Sequence, residues 1–156
     1  MKKVFKTMLG VTLLEVMLVL AIAAMIIVMS VRYYQSANSS QQANAILQQV
    51  QGIVSAANTL AQAQGSYSAV SLGSAALTPL LPGGWNKTPW GETISVAATS
   101  STTFTMNIGS VPSGVCPLLL SKLATDNHFE IDGAPITTST CTGSAVAVTI
   151  TYKSNP

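Results

Sequence analysis

The chain has 156 residues, of which 48 % are apolar and only 8 % charged, and its mean hydropathy is +0.45. That length supports one domain with a modest core, and so little charge suits a surface that packs against copies of itself better than one that must stay dispersed. The net charge of +2 is misleading: three of the seven basic side chains, Lys2, Lys3 and Lys6, precede residue 10, and the other four face five acidic ones, so bulk charge gives no indication of a nucleic-acid partner.

Residues 1–10 are short, basic and end in Gly10. Behind them Val11 to Val31 form an apolar run with one charge, Glu15, and no Pro or Gly. At about 1.5 Å per residue a helix of that length spans roughly 30 Å, the hydrocarbon thickness of a bilayer. A carboxylate on such a helix costs a few kcal/mol near the bilayer centre and less near its edge, so it is usually kept for a partner. An ordinary secretory signal cut after Ala21-Ile-Ala23 would leave unexplained the eight further residues over which the apolar run continues. A plain signal anchor accounts for the lysines on the cytoplasmic side but not for Glu15.

A basic leader, Gly10, one apolar residue, then Thr12-Leu-Leu-Glu15-Val16 and a long apolar helix resemble the class III signal of type IV prepilins and pseudopilins. The resemblance implies that a prepilin peptidase cuts between Gly10 and Val11 and methylates the new amino terminus of Val11. Glu15 becomes the fifth residue of the mature chain. In a low-dielectric bundle its carboxylate would be neutralised by the Val11 ammonium of a neighbouring subunit, a pair far stronger there than in water. The pair would set the axial register of an incoming subunit, as a polar residue does in a coiled coil.

Arg32-Tyr33-Tyr34 suits a membrane interface. The chain then turns amphipathic. Ile46, Val50, Ile53, Ala57 and Leu60 recur at helical spacing, with Leu47, Val54 and Ala61 alongside and glutamines opposite. This predicts one helix from about residue 11 to about residue 63, ended by Gly65, with Gly52 as a soft spot. The segments divide into a leader at 1–10, a membrane and filament-core helix at 11–32, and the amphipathic half plus a globular head at 33–156.

Residues 65–89 read as a loop, and Trp85 and Trp90 as packing a loop onto a sheet. Thr93–Ala97 and Thr103–Ile108 alternate with period two and predict an antiparallel hairpin. Cys116–Ala124 predicts a short helix with Pro117 in its first turn, residues 128–133 a short strand and turn, and Ala145–Tyr152 a final strand. The class is α+β: a long N-terminal helix on a small antiparallel sheet. Cys116 and Cys141, two cysteines downstream of an export signal, read as one disulfide in an oxidising compartment. The order Pro-Trp-Gly91, then Val-Pro-Ser-Gly-Val-Cys116, then Phe-Glu-Ile-Asp-Gly133 and a second cysteine is similar to that of type IVb pilins of the bundle-forming and conjugative kind. The leader and mature chain are shorter than is usual there, the first mature residue is Val, and the membrane half lacks the proline kink of another pilin subtype.

No metal-ligand spacing surrounds the single histidine, His128, which reads as a surface residue. Asp126, Glu130 and Asp132 read as a solvated loop, and there is no phosphate loop or nucleophile elbow. The expectation is therefore a structural protein, not an enzyme, with no cofactor and no metal. By resemblance it is a type IV pilus subunit serving adhesion, conjugation or motility, or alternatively a minor pilin or type II secretion pseudopilin. Its implied partners are further copies of itself in a homopolymer, the prepilin peptidase, the inner-membrane assembly machinery and a host or recipient cell surface. Its implied location is the inner membrane as precursor, then the extracellular pilus of a Gram-negative bacterium.

Overall fold

The computed structural model describes residues 12–70, 77–131, 134–136 and 141–155. The leader with Gly10 and Val11, and Asp132 with Gly133, lie outside them. Helix α1 runs over Leu13–Gln64, 52 residues. Thr12 opens it, its Oγ1 accepting the Glu15 N–H at 3.3 Å. Gly65 ends it at φ 76°, donating its N–H to the Ala61 carbonyl, the left-handed stop that glycine adopts at no steric cost. Both ends fall within two residues of those the periodicity predicts.

By internal contacts the chain forms two compact units, Met1–Ala37 and Asn38–Pro156. The first, over its described residues, is helix alone. The second holds the rest of α1 and the α+β head. There Ala43, Ile46, Val50, Ile53, Ala57 and Leu60 are buried, one stripe at spacings of three and four. Leu47, Val54 and Ala61 pack beside it, partly buried.

The sheet contains β1 (Ile94–Ala98), β2 (Thr103–Pro112), β3 (Phe129–Ile131), the two-residue β4 (Ala134–Pro135) and β5 (Ala145–Lys153). Its order is β1-β2-β5-β3-β4, and every pair is antiparallel. The predicted hairpin is β1 and β2, in register Val96 with Met106 and Ile94 with Ile108. The last strand inserts between β2 and β3, pairing Phe104 and Phe129 on either side with Tyr152. Inward residues alternate along β2 as Phe104, Met106 and Ile108. The register then shifts between Ile108 and Val111, with Ser110 at φ 46°. This extra residue resets the two-residue period, so Val111 is buried rather than Ser110. The Trp90 indole N–H donates to the Gly109 carbonyl at 2.9 Å. Trp90 therefore packs its loop onto the sheet as expected, at the bulge. Trp85 is buried against the same core.

Helix α2 (Cys116–Leu123) has Pro117 in its first turn and buries Cys116, Leu119, Leu120 and Leu123. Its Lys122 Nζ donates to Asn44 Oδ1 of α1 at 2.7 Å. Just before it, a Cβ on Gly114 would lie 3.0 Å from Ser39 Oγ, so this turn approaches α1 closely enough that any side chain there would have to displace the serine hydroxyl. The expected loop at 65–89 contains two short 3-10 turns, Tyr67–Ala69 and Thr78–Leu80.

Gly52 lies inside α1, and a Cβ there would meet nothing within 4 Å. Gly52→Ala should therefore raise stability by about 0.5–1 kcal/mol, the helix-propensity difference. Thermal unfolding of the detergent-solubilised chain measures it, and an unchanged or lower midpoint contradicts it.

Candidate functional site

Two features stand out chemically, one on each unit. The first is the N-terminal part of α1. Leu13 and Leu14 are 74 and 75 % exposed, and every large apolar residue from there to Val31 is exposed as well. The most apolar window of α1 has a mean hydropathy of 2.7 and none of it is buried. By length and composition this helix can cross a membrane, at roughly 28 Å for residues 13–31. Tyr33 and Tyr34, 79 and 72 % exposed, follow at its end.

Glu15 stands in the first turn of this segment. Thr12-Leu-Leu-Glu15 has the spacing of a capping box, in which the threonine side chain accepts from the N–H three residues on and the glutamate reaches back to the threonine N–H. The sequence reading missed this pattern. The structure makes half of it: Thr12 Oγ1 takes the Glu15 N–H, but the carboxylate forms no hydrogen bond or ion pair among the described residues. Nothing within the described chain therefore uses this acid as a partner. A negative charge at a helix N-terminus gains on the order of 0.3–1 kcal/mol from the helix dipole, a small return against the cost of taking it into hydrocarbon. Gly10 and Val11, the sequence-derived processing residues, lie outside the described residues.

The second feature is the Cys116–Cys141 disulfide, with Cα atoms 5.8 Å apart and a sequence separation of 25. Cys116 is fully buried in the core and Cys141 packs against it. The bond ties the start of α2 to the segment that leads into β5, so it holds the entry to the central strand.

The sequence-derived candidates around His128 are occupied by structural work. Asp126 Oδ1 accepts the His128 backbone N–H at 3.0 Å. Glu130 forms an ion pair with Lys153, Nζ lying 2.7 Å from each carboxylate oxygen. His128 departs from the surface role expected of it. It is half-buried, its ring stacks on Tyr152 at 5.6 Å and 20°, and its Nδ1 lies 2.7 Å from the Lys153 carbonyl. The pairing of β3 with β5 brings it there. Among the described residues no three of His, Cys, Asp and Glu gather as metal ligands would.

Tyr67 and Asn58 carry no local sequence signal of a role. The Tyr67 hydroxyl donates to Asn58 Oδ1, and its ring packs against Phe104 at 5.4 Å and Tyr152 at 6.4 Å. Burial, and secondarily Tyr152, push the Tyr67 phenol above its ordinary value, so it stays a neutral donor. No family model matches the chain, and no curated protein matches it.

A disulfide closing a loop of about 26 residues stabilises by roughly 3–4 kcal/mol in the chain-entropy account. Reduction with dithiothreitol should lower the unfolding free energy of the head by about that much. Urea titration of oxidised and reduced protein measures it; coincident curves contradict it.

Proposed function

We propose that this chain is the structural subunit of a type IV pilus, of the IVb-like kind. The observation that carries the reading is the division of one helix into two halves with opposite needs. From Ala43 to Leu60 its apolar face is covered by its own head. From Leu13 to Val31 its large apolar side chains are exposed, and Glu15 stands among them without a partner among the described residues.

A bundle of copies meets both needs. Cleavage between Gly10 and Val11 by a prepilin peptidase frees an amine, which is then methylated. Each Glu15 carboxylate takes the Val11 ammonium of a neighbour, and the apolar side chains pack against those of other copies. Relative to water, burial gains about 0.8 kcal/mol per CH₂. Relative to lipid the gain is far smaller, because lipid tails are as apolar as leucine. Transfer from the inner membrane into a filament therefore depends on close helix packing and on the ion pair, with the assembly machinery supplying the extraction. The disulfide-closed head forms the outer surface of the extracellular filament, where adhesion, conjugation or motility takes place.

Glu15→Ala tests this directly. The variant should be processed and membrane-bound at wild-type levels while surface filaments fall at least tenfold, counted by electron microscopy and by shearing. Filaments at wild-type number refute the pairing.

A further inference from the structure

Two hollows of about 380 and 410 Å³ open on the head, and both are lined by Asn58, Gln62 and Tyr152. From α1 the residues Gln51, Ser55, Asn58 and Gln62 border them, spaced four, three and four apart, so they form one polar stripe roughly 16 Å long at 1.5 Å per residue. On the sheet side Phe129 and Tyr152 line the first hollow, and Ser101, Thr102 and Ser154 border the second.

Where the hollows meet, the polar groups are held in place. The Tyr67 hydroxyl donates to Asn58 Oδ1, and Asn58 Nδ2 donates to the Tyr152 hydroxyl oxygen at 3.5 Å. Tyr152 itself is only 8 % exposed and is fixed by Phe104 at 5.1 Å and Phe129 at 5.5 Å. A buried tyrosine hydroxyl usually finds a partner for its proton. Here the Tyr152 O–H and the second Asn58 N–H have no acceptor among the described residues. The rim amides of Gln51 and Gln62 are exposed and have no hydrogen-bond partner among the described residues either.

The lining selects a class of ligand. Asp126 is the one charged side chain bordering either hollow, and its Oδ1 already takes the His128 N–H. An anionic ligand would find no counter-charge, a cationic one only the single Asp126 carboxylate, and an apolar one would strip water from amides and hydroxyls without replacing it. Amides and hydroxyls that both donate and accept match sugar hydroxyls. We infer that the two hollows form one groove that binds a short neutral oligosaccharide. This site lies wholly on the head and does not depend on the filament reading.

Saturation-transfer NMR of the full chain in detergent micelles tests it, with maltotriose, chitotriose and lactose as probes. At least one sugar should give a saturable signal. Gln51→Ala combined with Gln62→Ala, both at exposed positions that leave the core intact, should weaken that binding at least fivefold. Tyr152→Phe, which keeps the ring and removes the hydroxyl, should weaken it about fivefold, the size of one neutral hydrogen bond. Gln48→Ala, outside the groove, should leave it unchanged. Absence of saturable binding by all three sugars overturns the inference. So does equal binding by wild type and the double variant, or a double variant that changes only the oligomeric state of the chain.

Discussion

An apolar helix face has to be covered, and this chain covers only half of the one it has. Residues 43–60 of α1 lie in a core with the sheet and α2, whereas the large apolar residues of 13–31 are exposed. Water is a poor environment for that many side chains, so the segment belongs either in a bilayer or among like helices. An acid in its first turn separates the two environments: it is a cost in lipid and a gain wherever an amine is brought against it. The proposed filament follows from that asymmetry.

The head is built so that its last strand matters most. β5 lies between β2 and β3, and Tyr152 near its end touches Phe104, Phe129, Tyr67 and His128. The entry to this strand is tied to α2 by the Cys116–Cys141 bond. With so few charges in the chain, surface ion pairs could add little stability in any case. Aromatic packing and one covalent closure hold the head instead, and a disulfide of this kind persists in an oxidising compartment.

Much of this was legible in the residues because it is encoded locally. The spacing of Ile46, Val50, Ile53, Ala57 and Leu60 requires a helical stripe, Gly65 a stop, Pro117 a first turn, and the alternation in 103–108 a strand. The position of β5 between β2 and β3 has no local signal, since pairing partners far apart in sequence are chosen by the whole core. The bulge at Gly109–Ser110 breaks the period by a single residue, too little to stand out beforehand. Tyr67 lay in a segment read as loop and Asn58 beside the apolar stripe, so only their meeting reveals them. His128 looked like a surface residue because nothing in its neighbours announces that β3 stacks it on Tyr152. For the candidate assembly site, the cost of Glu15 was visible at once. Its lack of a partner among the described residues needed the structure.

The central claim is that a freed amine at Val11 is what Glu15 awaits. Intact-mass and N-terminal peptide mass spectrometry of the protein sheared from cell surfaces tests this most directly. The account predicts a chain beginning at N-methylated Val11 with Cys116 and Cys141 joined. Recovery of a chain that still begins at Met1, or that begins after Ala23, contradicts it.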